Sequence, residues 1–366
     1  MPADRLPASA PPRIVVSALK ALIGLLERGR RALMPPELYL LDTALISAVR
    51  SHAVLASVRL GLFGVLRDGP RTAAEVARAL EADPDATWRL LRALASFGIL
   101  DGERDRYALN ACSRLLLPEH PRGFEAALQF NADPRHFTLW GQFADTLRGA
   151  VSPFEAAYGK PLFSYLAEDR RMGAFFDRAM NAGSGPTSLA VCAAWAPPER
   201  ARIVDVGGGH GHFLAALLSR HPGTTGILFD SPEVLAGADA MLDPVASRVT
   251  RTPGNFFEEV PQGGDVYVLM HILHNWGGEA CERILKNCRR AMGPTARLLI
   301  IDMIVPPGNP AHPGPILDLV MYSLLRDGRE RTEAELRRLI DASGLVIERI
   351  IPTVALTSIV ELRRAE

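Results

Sequence analysis

The sequence predicts an α/β protein: a mostly parallel sheet with helices on both faces, preceded by an all-helical N-terminal half. Three observations predict it. From residue 201 onward, the apolar runs "RIVDV", "TGILFD", "DVYVLMHI" and "ARLLIIDMIV" alternate with stretches of helical periodicity, the pattern of a parallel sheet built from crossover units. The turn Gly207-Gly208-Gly209-His210-Gly211 follows the first run, at the point where a Rossmann-like sheet receives its ligand. Upstream, apolar residues keep helical spacing from residue 14 to the short interruption "ILDGERDRYALN".

Residues 1–35 form an N-terminal extension. "MPADRLPASAPPR" is proline-rich and expected to be disordered, and "IVVSALKALIGLLERGRRALM" then takes helical spacing. Lys20 and Glu27 interrupt its apolar run and no small-residue cleavage site follows, so it reads neither as a membrane span nor as a signal peptide. As a basic amphipathic helix it fits an oligomer interface better than a membrane surface.

Residues 36–122 are expected to form a winged-helix domain. "TAAEVARALEADPDATWRLLRALASFGIL" gives two short amphipathic helices joined at Asp83–Pro84, and "DGERD" turns the hairpin that follows. Such domains often bind DNA. Here the second helix offers Arg89 and Arg92 with no basic stripe around them, so a protein–protein role is expected instead. Residues 123–200 are helical and rich in aromatics, and "NAGSG" at 181–185 is expected to break the helix and begin the connection to the sheet domain, 201–366. That domain ends in "LVIERIIPT" and "TSIVELRRA", an antiparallel hairpin at the edge of the sheet.

Composition agrees with this division. At roughly 100–200 residues per domain, 366 residues suffice for two domains. The 41 basic and 41 acidic side chains cancel, so no global charge draws nucleic acid or an acidic membrane. Cys112, Cys192, Cys281 and Cys288 are widely spaced with no C-x-x-C pair, which fits buried thiols in a reducing cytoplasm.

The glycine turn narrows the ligand. Its spacing is G-x-G-x-G, with His212 where a dinucleotide fingerprint has its third glycine, which argues against a pyrophosphate cofactor. Asp230, ending the second run, suits a pair of ribose hydroxyls, though Pro232 and Glu233 after it also suit a helix N-cap. Asp205, between Val204 and Val206, needs a partner in an apolar strand. The ammonium of an amino-acid-like cofactor, or an ordered water, would supply one. A nucleoside that carries an amino acid and no phosphate is S-adenosylmethionine.

These residues, with "GNFF" (254–257) and "MHILHNW" (270–276), resemble the S-adenosylmethionine-dependent O-methyltransferases of the caffeate/hydroxyindole type. The resemblance runs from about residue 36 to the C-terminus through "LGLFGVL", "YGKPLFSYL", "FFDRAM", "DVGGG", "FDSP", "LHNW", "CERILKNC" and "DGRERTEAEL". It implies a seven-stranded methyltransferase sheet behind a winged-helix dimerisation domain. It also implies a homodimer whose partner helps close the active site, and a small hydrophobic hydroxylated acceptor. For the cofactor it implies Gly207, Gly208 and Gly209 under the methionine part with Asp205, and Asp230 at the ribose. Asn255 and Phe256 would border the adenine, with Met270 and Trp276 beside the cofactor; the family usually has aspartate where Asn255 stands.

For the chemistry the resemblance implies His274 as general base, flanked by Asp302 and Glu330, which would orient the imidazole and stabilise its cation. A phenol of pKa near 10 is mostly neutral at cellular pH, and an imidazole of pKa about 6.5 is largely free to accept its proton. Asp302 is shorter than the glutamate many relatives carry. Asn275, next to the acceptor, replaces a common aspartate. Phe176, Met180, Met321 and Leu325 match positions lining the acceptor pocket. Methylation of nitrogen or carbon stays open, as does a non-methylating use of the bound cofactor as a positive charge. No metal is expected: His271 with His274, and His210 with His212, have no nearby carboxylate or thiol pattern to complete a site.

Overall fold

A computed structural model describes residues 22, 24–26, 28–120, 124–149, 151–308 and 312–365, so the proline-rich stretch expected at the extreme N-terminus lies outside it. The chain divides into two compact units that do not follow chain order. One takes in Leu26–Thr138 and Phe163–Gly183, the other Leu139–Leu162 and Ser184–Glu366.

The first unit is helical but carries a small sheet. Helical residues run from Pro36 through a π turn at Asp42–Ile46 to Arg59. Among the described residues this is the one helical run long and apolar enough to cross a membrane, and only 6% of its most apolar stretch is buried. The helices Ala73–Leu80 and Pro84–Ser96 follow. Thr72 and Glu75 form a capping box on the first, and Asp83 caps the second with Pro84 in its first turn. Strands β1 (Arg71–Thr72), β2 (Leu100–Glu103) and β3 (Arg106–Leu109) pair antiparallel in the order β1-β3-β2, the expected wing. Leu62, Phe63, Val76, Leu91 and Leu94 are fully buried between these elements. Arg89 pairs with Asp85 one turn away, and Arg92 lies over the ring of Trp88.

The second unit is built on a seven-stranded sheet. Strands β4 (Arg202–Val206), β5 (Thr225–Asp230), β6 (Val249–Pro253), β7 (Val266–Met270), β8 (Arg297–Val305), β10 (Leu345–Pro352) and β11 (Thr357–Arg364) take the order β10-β11-β8-β7-β4-β5-β6; β9 (Arg331–Thr332) pairs with the end of β8. The five strands from β4 to β8 are parallel, and β11 inserts antiparallel between β8 and β10. Alternate residues of each strand enter two different cores. Val204, Tyr267, Leu298 and Ile300 pack with Cys281, Ile284 and Cys288 of the helix Gly278–Ala291. Ile203, Val268, Leu299 and Ile301 pack with Phe213, Leu214 and Leu217 of the helix His212–Arg220. The chain leaves β4 for β5 and β6 on one side and returns to β7 and β8 on the other, so the carboxyl end of β4 is the switch point of the sheet.

One expectation fails. "NAGSG" does not end a helix; Arg170–Ala194 is a single helix with Pro186 inside it. Glycine costs about 1 kcal/mol against alanine in a helix. Burial of Ala179 before the segment and of Val191 after it holds the helix through. The division between the compact units nevertheless falls here, between Gly183 and Ser184.

Candidate active site

The turn after β4 is shaped by what a side chain would strike. Gly207 has φ 69°, and a Cβ there would lie 2.6 Å from Ile272 Cδ1 and 3.3 Å from Phe256 Cε1. A Cβ on Gly208 would lie 2.6 Å from both the Asp205 carboxyl and Leu228 Cδ1. The turn is tied to β5: Gly207 N–H donates to Phe229 O at 2.8 Å and Gly209 N–H to Asp230 Oδ2 at 2.9 Å. The other Asp230 oxygen accepts from Ser231 N–H. Ser231, not Asp230, caps the short helix Pro232–Leu235, so the competing N-cap reading of Asp230 is excluded.

Asp205 is 1% exposed, and neither carboxyl oxygen has a hydrogen-bond partner. Burial, reinforced by the charge of Asp230, pushes its pKa up to about 7. A buried carboxyl without donors beneath a turn that excludes Cβ atoms is the kind of cradle an ammonium-bearing ligand completes. These residues fit the amino-acid end of S-adenosylmethionine.

The second cluster forms where β7 and β8 end. His271 follows β7 with φ 57°, and His274 sits in the 3-10 turn Leu273–Asn275. That turn is pinned from outside. Arg331 Nη1 donates to Leu273 O at 2.7 Å, Arg331 Nη2 to Trp276 O at 2.5 Å, and Arg329 N–H to His274 O at 2.7 Å. Pairing of β9 with β8, Arg331 opposite Ile304, brings Glu330 to the same end of the sheet as Asp302. Asp318 steadies Glu330 by accepting its backbone N–H at 2.7 Å.

Glu330 Oε1 lies 3.0 Å from His274 Nδ1. Burial works against the imidazolium, but the Glu330 hydrogen bond and the charges of Asp302 and Glu330 outweigh it, and the pKa of His274 is raised. Asp302 does not reach His274 as Glu330 does. Its Oδ1 stands 3.8 Å from His271 Nδ1, its influence on His274 is that of a nearby charge, and burial pushes its own pKa up to about 7. The shorter aspartate chain explains the difference. Burial, with the neighbouring His274, pushes His271 down to about 3, so it stays neutral.

The remaining residues divide. Phe256 packs on the glycine turn, and with Phe257 it meets Trp276 edge-on, at 6.3 and 4.7 Å between ring centroids. Asn255 uses its side chain in the local turn: Oδ1 accepts from Phe257 N–H and Nδ2 donates to Glu258. Asn275 Nδ2 donates to His271 O at 2.9 Å, fixing the histidine turn. Met270 ends β7, with Ser188 Oγ 3.9 Å from its sulfur. Leu325 packs at Gly328, where the backbone also passes the carbonyl of His274. Met321 is half-buried on the helix Gly314–Leu324. Phe176 and Met180 belong to the other compact unit, where Phe176 packs edge-on against Phe130.

Sequence reasoning missed Arg331 and Asp318, and set His271 aside as half of an incomplete metal pair. The "MHILH" spacing announces His271, but nothing local marks Arg331 as the clamp of a turn 55 residues away.

Comparison with known proteins gives the chain's relatives. The O-methyltransferase domain model matches residues 140–346 and the O-methyltransferase dimerisation domain residues 43–119. The chain is 37% identical to the mitomycin biosynthesis 6-O-methyltransferase of Streptomyces lavendulae, covering 87% of this chain and 92% of that one. It is 34% identical to the 8-amino-8-demethylriboflavin N,N-dimethyltransferase of Streptomyces davaonensis, over 86% and 91%. The SAH-bound structure of the calicheamicin-biosynthesis methyltransferase CalO1 superposes with a TM-score of 0.78 at 34% identity, over 95% and 99% of the two chains.

Proposed function

The chain belongs to the O-methyltransferase family, as an S-adenosylmethionine-dependent enzyme acting on a small metabolite, and from that premise we propose that its acceptor is a phenolic or enolic hydroxyl whose proton passes to His274. When bound, the cofactor supplies a methyl group on a positively charged sulfur, already activated for displacement. What is left to the protein is alignment and deprotonation. The observation that carries the reading is the 3.0 Å contact between His274 Nδ1 and Glu330 Oε1. With Nδ1–H donating to the carboxylate, Nε2 keeps its lone pair and the ring is fixed to receive a proton. Glu330 then stabilises the imidazolium that forms. Ile272, two residues before His274, touches Gly207, so base and cofactor cradle adjoin. Asp205 holds the ammonium of the cofactor, Asp230 its ribose, and Phe256 borders the adenine. Half-buried Met321 and Leu325 offer a flat apolar acceptor a wall without competing charge. The match to a dimerisation domain supports a homodimer.

The similarity to an N,N-dimethyltransferase favours one second reading, transfer to an amine. Both are tested by incubating the protein with deuterium-labelled-methyl S-adenosylmethionine and paired phenols and arylamines, with products read by mass spectrometry. Label is expected on the phenols. His274→Ala should lower kcat by about 10²–10⁴-fold with cofactor affinity unchanged. Equal turnover by His274→Ala would remove the base from the mechanism, and label on the amines alone would select the second reading.

A further inference from the structure

His271 and Asp302 approach each other without completing an interaction. At 3.8 Å, His271 Nδ1 and Asp302 Oδ1 are too far apart for a hydrogen bond, yet Asp302 is 7% exposed and its Oδ1 is buried with no hydrogen-bond partner. His274 completes a triangle: one ligating atom from each of His271, His274 and Asp302 lies within 4.8 Å of the other two. Bonds of about 2.0–2.2 Å from imidazole and carboxylate to one ion place two donors at most roughly 4.2 Å apart. The 3.8 Å separation of His271 and Asp302 is therefore long for direct contact and short enough for donors that share an ion. The other two pairs, within 4.8 Å, meet the same limit with a side-chain shift of at most about 0.6 Å.

The backbone is set for the same arrangement. His271 is held at φ 57°, a costly conformation for a side chain of this size, by its N–H to Ile301 O at 3.0 Å and by Asn275 on its carbonyl. Glu330 on His274 Nδ1 is the outer carboxylate that commonly orients a metal-binding imidazole.

We infer that His271, His274 and Asp302 form a binding site for a divalent transition-metal ion of the zinc class. Two imidazoles and a carboxylate are borderline donors; magnesium and calcium would demand more oxygen ligands. Three protein ligands leave a position open to water. The site stands on this geometry alone. Its consequence rests on the proposed role of His274: an ion on the imidazole takes the lone pair needed for the acceptor's proton, so metal occupancy opposes methyl transfer. Residue spacing along the chain does not mark Asp302 as a third ligand, because it arrives from the neighbouring strand β8.

The test titrates the full chain, stripped with a chelator, with Co²⁺ as the probe, followed by visible absorption; Zn²⁺ then displaces it. One equivalent is expected. His271→Asn, which tolerates the left-handed backbone, and Asp302→Asn should each weaken binding by about 100-fold or more. S-adenosylmethionine affinity serves as the measure that both variants are folded. Absence of a one-equivalent site, or equal Co²⁺ affinity in both folded variants, overturns the proposal. Zn²⁺ should also shield His271 and His274, but not histidines elsewhere, from acylation by diethyl pyrocarbonate. Unchanged labelling of His274 at saturation would show that the ion sits elsewhere. These readouts need no acceptor, so they fail independently of the methyl-transfer reading.

Discussion

Asp205 lies in β4 with both carboxyl oxygens buried and unpartnered, beside Asp230, and its pKa rises to about 7. Between 3.8 and about 7 the folded protein holds this proton while the unfolded chain releases it, so cofactor-free stability falls as pH rises through that window and levels off above it. A bound ammonium reverses the balance by favouring the carboxylate. Cofactor affinity is therefore expected to rise up to about tenfold per pH unit below 7 and to flatten above it, with a proton released on binding at pH 6. Calorimetry in buffers of different ionisation enthalpy measures that proton. Asp205→Asn should abolish the pH dependence, weaken the cofactor and stabilise the cofactor-free protein above pH 7. A flat affinity profile in the wild type would mean that the ammonium is held elsewhere. At this scale Asp205 was legible because a carboxylate between two valines contradicts its surroundings. The division of labour between Asp302 and Glu330 was not, since it turns on the reach of one methylene across two strands.

Arg331 shows what an element contributes that a motif does not. β9 is two residues long, yet its pairing with β8 positions Glu330 and sends the Arg331 guanidinium to the carbonyls of Leu273 and Trp276, on either side of His274. In Arg331→Leu the Leu273 carbonyl would keep the N–H of Trp276 and the weak thiol contact of Cys281. The Trp276 carbonyl would lose its charged donor and keep the Cys281 thiol. A loss of about 2–3 kcal/mol in stability is expected. So is a fall in kcat with cofactor affinity unchanged, because the turn carrying the base loses its clamp. Thermal unfolding and steady-state kinetics on the same preparation check both. A variant destabilised with full kcat would confine Arg331 to folding. The parallel strands and closing hairpin were readable from apolar runs alone. The helix Arg170–Ala194 was not, because a glycine- and proline-containing segment looks like a break until packing on either side of it is known.

Across the whole molecule the unresolved demand is the apolar surface of the first unit. Leu38, Leu45 and Val49 are each more than half exposed on the run Pro36–Arg59, and the dimerisation-domain match begins at residue 43, within that run. Apolar side chains spaced i and i+4 on an uncovered helix are costly in water, and a second copy of the same face buries both at once. The length and composition of this run would also suit a lipid surface, so the two occupants must be separated by experiment. Leu45→Glu with Val49→Lys replaces the apolar pair by an i,i+4 ion pair that itself supports the helix, leaving the fold intact while removing the face. The wild type should sediment at twice the chain mass and the double variant at the chain mass, with S-adenosylmethionine affinity equal in both. If the partner subunit helps to close the active site, the monomeric variant also loses methyl transfer while keeping its cofactor. A double variant that remains dimeric would place the interface elsewhere. A monomeric wild type that cosediments with phospholipid vesicles would give this helix to the membrane.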